Sequence, residues 1–481
     1  MFKHSIFRAL PRMLAVVASV TGISLAAASA SYAKGKPPQY YVDEEQLPFT
    51  ALPGAQALFG VHAGAGYRIE VPENWNGKLV VWAHGFRGAG LALTVDNHPL
   101  RELLINQGYA WAASSYDRND YDINSGVLST HALINRFNGL VGKPTQILMT
   151  GASMGGHITG ILIEQYPELF DGAMPICGVM GDTAMFDYYL DYSVTGQQLG
   201  TGRSQFPLDP VPYIFATIPQ IKSGLGFPTE SLQTTWPYLL SPAGENHKGV
   251  TEQRSGGERP NFDNAYIFWN IIPSLTTGIS GNFLFELALS RAPKVQGNAL
   301  DNFHTAYQFD SDTALSPEEE MLNEAIVRVA ADPQARRPSG LAQVPMTSGD
   351  ISIPVLTLHN LGDLFVPVVN QVEYANRVAS KGASDLLVQR AIRGVGHCEF
   401  TGPELVEAFT DLVAWVDYGI KPGGDDFSDP AVVASDDFGC AYTRFTANDT
   451  PYPAPPPSLS NGGHVWADAC PSAGDNNVVT F

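Results

Sequence analysis

Residues 146–156, QILMTGASMGG, narrow the possible folds more than any other stretch. A run of strand length and largely apolar content ends in a glycine-bracketed serine, and a segment of helical period follows with no linker. Gly151 and Gly155 flank Ser153 because a turn this tight leaves no room for side chains beside the serine. The surrounding chain repeats the same motif of strand, loop and helix. Residues 78–83 (KLVVWA) read as a buried strand ending at His84-Gly85, 109–114 as a second, 146–150 as a third and 172–177 (GAMPIC) as a fourth; residues 154–166 form a helix that stops before Pro167. This rhythm predicts an α/β architecture with a parallel sheet covered by helices on both faces.

The alternation stops near Val179 and resumes at 353–360 with IPVLTLHN, followed by a strand at 386–392 and an amphipathic helix at 403–418. Between them, Ser316-Pro317-Glu318-Glu319 is a capping-box start with Pro at the first helical position, predicting a helix to about residue 331, and 282–291 is also helical in pattern. The insertion therefore reads as a mostly helical cap. Its aromatic content is close to the 10% of the whole chain, so composition alone marks no aromatic platform there. The expected organisation is an export signal at 1–33, a core in two parts at 34–178 and 351–420, a cap at 179–350 and an irregular Pro-rich tail at 421–481.

A serine hydroxyl becomes a nucleophile when a base takes its proton, and the base needs a carboxylate to fix its tautomer. Both partners should follow later strands. Asp363 stands just past IPVLTLHN in Gly362-Asp363-Leu364-Phe365-Val366-Pro367, and His397 follows the strand at 386–392 in Gly394-Val395-Gly396-His397. Among the 11 histidines only His397 combines a strand end, a glycine-rich approach and a following helix; His84, His157 and His359 read as structural. Charge developing on a carbonyl oxygen needs two N–H donors. Met154, at the helix start, supplies one, and Phe86, in the sharp loop His84-Gly85-Phe86-Arg87-Gly88, is the expected second.

Lys3, Arg8 and Arg12 precede an apolar run, and small residues follow at Ala28, Ala30 and Ala33, the three-part pattern of a cleaved secretory signal. Cleavage after Ala30 or Ala33 removes three positive charges and no negative ones, taking the net charge from -20 to -23. Such a chain repels phosphate backbones and anionic membrane surfaces, so nucleic acid and membrane are not expected partners of the mature protein, which should be secreted or periplasmic. With 16% charged and 44% apolar residues, disorder, collagen and coiled coil are excluded. Four cysteines, Cys177, Cys398, Cys440 and Cys470, suit disulfides in an oxidising compartment, with three pairings open. Pairing Cys440 with Cys470 would close the Asp-rich tail and leave Cys177 with Cys398; closing a loop of that length is worth about 3–4 kcal/mol. No metal is expected. Zinc spacing is absent, and Asp120-Tyr121-Asp122-Ile123-Asn124, which begins like a calcium loop, has Ser125 where glycine is required and His131 where the bidentate glutamate belongs; it reads as a solvated loop.

Taken together and in this order, His84-Gly85-Phe86, Gly151-Ala152-Ser153-Met154-Gly155, Gly362-Asp363 with Val366-Pro367, and Gly396-His397 give a chain that resembles the α/β-hydrolase superfamily over residues 60–178 and 353–420. The resemblance implies a mainly parallel eight-stranded sheet, a cap inserted after strand 6, and a Ser153-Asp363-His397 triad acting through an acyl-enzyme; no cofactor is expected. In some secreted esterases similar to this one a cysteine next to the catalytic histidine is bonded near the active site, which favours Cys177 with Cys398. The expected substrate is a small-molecule or polymeric carboxylic ester. An amidase or peptidase would use the same residues, and a binding protein on the same fold would commonly have lost one of the three.

Overall fold

The computed structural model describes residues 39–181, 183–227, 239–289, 295, 297–452 and 462–471. The expected export signal at 1–33 lies outside the described residues. Eight strands among them form one sheet: β1 (Ala55–His62), β2 (Ala65–Pro72), β3 (Lys78–Ala83), β4 (Ala110–Ser114), β5 (Gln146–Ala152), β6 (Gly172–Ile176), β7 (Val355–Asn360) and β8 (Leu387–Ile392). Their spatial order is β8-β7-β6-β5-β3-β4-β2-β1. β1 pairs with β2 and β2 with β4 antiparallel, and every other pairing is parallel.

The six strands legible as apolar runs are those buried on both faces, where no polar face is needed. Along β3, Leu79, Val81 and Ala83 enter the core on one face, with the helices Ile123–Leu140 and Met154–Gln165, while Val80 and Trp82 enter the core on the other, with the helix Gly402–Tyr418. β3 lies between β4 and β5, so the chain winds away from it in both directions. The loops after β3 and β5 therefore open on one crevice at the carboxyl ends of the strands, where sheets of this kind bind ligands.

Between β6 and β7 run the helices Thr183–Thr201, Ile218–Leu225, Pro242–Ser255, Phe262–Trp269, Phe283–Leu287 and Pro317–Ala325. The first packs against the second, third and fifth, and all contribute buried residues to the same apolar core as one face of the sheet.

The structure corrects several details. The capping box at Ser316 and Glu319 forms, but its helix ends at Ala325, not near residue 331. Beyond it the backbone turns extended and bonds sideways, with Val327 N donating to Ser204 Oγ at 2.8 Å and Val329 N to Asn302 Oδ1 at 2.6 Å. The helical pattern at 282–291 yields only Phe283–Leu287 within the described residues. The Asp120–Asn124 stretch is not a solvated loop: Asp122 is buried and caps the helix Ile123–Leu140, accepting from Ser125 N at 3.0 Å. The tail is irregular but not loose, because Phe427, Phe438, His464, Val465 and Trp466 are buried in it.

Candidate active site

β5 delivers Ser153 to the crevice through a strained turn, with Ser153 at φ 58° and ψ −121°. Its backbone N–H donates to Ile176 O of β6 at 3.0 Å, and the helix Met154–Gln165 starts at the next residue. The glycines beside it have concrete steric reasons. A Cβ on Gly155 would stand 2.0 Å from Ala83 O at the end of β3, and one on Gly151 would stand 2.3 Å from Gly155 O. A left-handed serine held between such contacts is strain fixed by its surroundings.

The structure brings the three predicted side chains together from three separate segments. His397 Nε2 is 2.8 Å from Ser153 Oγ, and His397 Nδ1 is 2.6 Å from Asp363 Oδ2. Asp363 is fully buried, and its other oxygen accepts from the backbone N–H groups of Phe365 and Val366, both at 2.9 Å. With Oδ1 saturated, Oδ2 is left for the imidazole. An ionised carboxylate accepts only, so Nδ1 carries the ring proton and Nε2 is free to accept from the serine hydroxyl. The His397 ring also meets the Phe365 ring edge-on, with centroids 5.0 Å apart.

Residues not foreseen from the sequence hold these groups in place. Trp269, on a helix of the insertion, donates its indole N–H to Gly362 O at 2.9 Å and Val395 O at 2.8 Å, tying the acid loop to the histidine loop. Asn360, the last residue of β7, clamps the backbone of Glu399: it accepts from Glu399 N at 2.9 Å and donates to Glu399 O at 2.8 Å. Neither forms part of a local motif, since each lies far along the chain from a loop it holds. Phe365 packs with Tyr189, Phe283 and Trp269, so the insertion gathers aromatic rings next to His397 that composition could not reveal.

The two expected oxyanion donors come from separate segments, the helix that follows Ser153 and the loop after β3. Met154 is buried at the head of its helix, where the first N–H groups have no partner within the helix. Phe86 follows Gly85, and a Cβ on Gly85 would stand 3.2 Å from Ser153 Cβ, so the loop after β3 runs directly against the serine. That loop is pinned by Tyr116, whose hydroxyl donates to His84 O at 2.9 Å and whose ring stacks on His84 at 4.0 Å. Burial, and then Arg87, push the His84 imidazole well below its usual range, so it is neutral and its Nδ1 bonds Gly85 O at 2.7 Å.

Cys177, next after β6, is bonded to Cys398, the residue after His397, and Cys440 is bonded to Cys470. Cys177, Cys398 and His397 place donor atoms close together, but the two sulfurs are joined to each other and so are not thiolate ligands. His157 and His359 are fully buried and bonded to Tyr121 and Pro345 O, and to Val366 O and Gln371, respectively.

A family model described as a Tannase-like family of unknown function (DUF6351) matches residues 61–204, a span that includes the loop after β3 and the Ser153 turn. An o-phthalyl amidase of Xanthobacter agilis is 19% identical over 427 residues, covering 80% of this chain and 92% of its own. Among solved structures, an esterase from Aspergillus oryzae aligns with a TM-score of 0.46 and 16% identity over 76% of this chain and 80% of that one. Feruloyl esterase B from the same organism aligns with a TM-score of 0.39 and 13% identity over 76% and 82%.

Proposed function

We propose that this chain, an α/β-hydrolase by the winding of its sheet, is an exported serine hydrolase that cleaves carboxylic esters. The observation that carries the reading is the hydrogen-bonded series Asp363–His397–Ser153. Ser153 Oγ attacks the ester carbonyl as His397 Nε2 takes its proton, and Asp363 steadies the resulting imidazolium. The N–H groups of Met154 and Phe86 receive the carbonyl oxygen as it becomes an oxyanion. His397 then returns the proton to the departing alkoxide oxygen, leaving an acyl-Ser153. A water molecule repeats the sequence, giving up a proton to His397, and the acid is released with the serine restored.

An amide substrate would follow the same course, and the similarity to an o-phthalyl amidase supports that second reading. Ester cleavage is the less demanding reaction, because an alkoxide leaves more readily than an amine, so ester turnover is expected in either case. Kinetics on short p-nitrophenyl esters and on anilides of the same acids separate the two. The ester reading predicts turnover on the former alone. Ser153→Ala should abolish turnover of both while leaving the fold intact, and retained turnover contradicts the assignment. A binding protein on this fold would fail to react at Ser153 with a fluorophosphonate.

Export is supported by the charged, apolar and small-residue order of residues 1–33 and by the two disulfides. Among the described residues no helix is long and apolar enough to cross a membrane. N-terminal sequencing of protein collected outside the cytoplasm should begin at residue 31 or 34.

A further inference from the structure

The tail reaches the loop that carries His397. Glu399, buried two residues after the histidine, uses one carboxylate oxygen to accept from Gly396 N at 2.6 Å and the other to accept from Val465 N of the tail. His464, fully buried, lies 3.1 Å from Glu404 Oε1 and 3.5 Å from Asp449 Oδ1. A Cβ on Gly394 would stand 3.2 Å from Glu399 Oε2 and 3.4 Å from His464 Cδ2, so carboxylate and imidazole both pack on the backbone of the histidine loop. The next tail residues are anchored to the insertion: Asn261 and Asn264 donate to Trp466 O at 3.0 and 3.1 Å, and the Trp466 ring meets Phe268 edge-on at 5.8 Å. Phe268 belongs to the same helix as Trp269, which holds the loop at Val395.

We propose that the tail segment around His464 and Val465 is a positioning element for the base, acting through Glu399 to hold the 394–398 loop so that the His397 ring stays between Ser153 and Asp363; this rests on the hydrolase reading above. Glu399 is a positioning residue, not a catalytic one. Both of its oxygens face N–H donors, so a glutamine in its place would turn an NH2 toward one of them and release either Gly396 or the tail. His464 supplies the opposing charge. Burial alone would lower its imidazole, but the Glu404 carboxylate, with Asp449 and Glu399 also close by, outweighs burial and raises it to about 10.

The test uses the full mature protein with Glu399→Gln, His464→Gln and, as a control, Glu407→Gln, which removes the tail's ion pair with Arg444 at the helix Gly402–Tyr418. For each, kcat and KM on p-nitrophenyl acetate, the rate of fluorophosphonate labelling, the melting temperature and the low-field proton resonance of His397 Nδ1–H are measured. Because a loosened base loses alignment, kcat and labelling rate should fall about tenfold or more in the first two variants, with KM within about twofold and the low-field resonance shifted or broadened. The Glu407 variant should match wild type. A lower melting temperature with unchanged kcat and resonance overturns the positioning role and leaves only a structural one. Should Glu399→Gln fail to fold, His464→Gln decides, since its ring bonds Glu404 and not the loop. Wild-type protein that neither reacts with the fluorophosphonate nor turns over the ester refutes the hydrolase reading itself, an outcome distinct from active wild type with indifferent variants.

Discussion

Asp363 divides its two oxygens between two tasks, and that division sets what its loss should do. Oδ1 is held by two backbone N–H groups, so Asp363→Asn must either present its NH2 to His397 or lose those bonds. With the carbonyl kept on the backbone donors, the amide NH2 faces Nδ1 and the imidazole switches its proton to Nε2, where it can no longer accept from Ser153. The expected cost is about 10⁴ in kcat with a folded protein, as for the equivalent change in the Ser-His-Asp case that defines this logic, measured by steady-state kinetics. His98 and His247 make a contrasting prediction. His98 accepts from Leu100 N and donates to Thr150, and His247 donates to Tyr192 O and bonds the Tyr266 hydroxyl, so each is built for the neutral ring. Burial lowers them to about 3 and about 4. Their contribution to stability is therefore complete above about pH 6.5 and lost as pH falls toward those values. Carbon chemical shifts of both rings should report neutral imidazole at pH 5; a charged ring there contradicts the assignment.

At the scale of elements, the turn after β5 has the least tolerance. Gly155→Ala places a methyl 2.0 Å from Ala83 O, a backbone atom that can yield only if β3 and the helix Met154–Gln165 part. A loss of about 2 kcal/mol or more is expected, seen as a lower denaturant midpoint, with activity falling because the same movement displaces Ser153. This turn was legible in the sequence because a single tight local geometry demands its residues in order. The internal strands were legible for a related reason, being buried on both faces. The β1–β2 hairpin is less legible: Arg68 and Glu70 alternate with Tyr67, Ile69 and Val71 there, and the reversal uses Ala63 at φ 50° with Gly64 at φ 83°, where alanine is no turn signal. The overlong helix at 316 had a correct start but no readable stop, since Val327 and Val329 leave it for lateral bonds to Ser204 and Asn302 that lie far along the chain. Trp269 and Asn360 are hidden for the same reason, because each acts on a loop through space, and Glu399 because its second partner, Val465, lies 66 residues along the chain.

Over the whole molecule, the sheet brings Ser153, Asp363 and His397 together from beyond the ends of β5, β7 and β8, and the insertion and tail close around the last two. One consequence concerns alkaline stability. Because His464 is raised to about 10, its contribution is fully present below about pH 6.5 and lost as pH rises through about 10. Wild-type stability should decline over that window more steeply than that of His464→Gln, by denaturant unfolding at a series of pH values; parallel slopes would show that the ring is not held protonated. On the proposed course, Ser153 becomes covalently acylated in every turnover. Mixing the mature protein with p-nitrophenyl acetate and following p-nitrophenol release over the first turnovers, with mass spectrometry of the digested protein, tests this most directly. A rapid release of about one equivalent and an acetyl group on the peptide containing Ser153 are expected, both absent in Ser153→Ala. Release with no adduct on that peptide, or an adduct and burst that persist in Ser153→Ala, would contradict it.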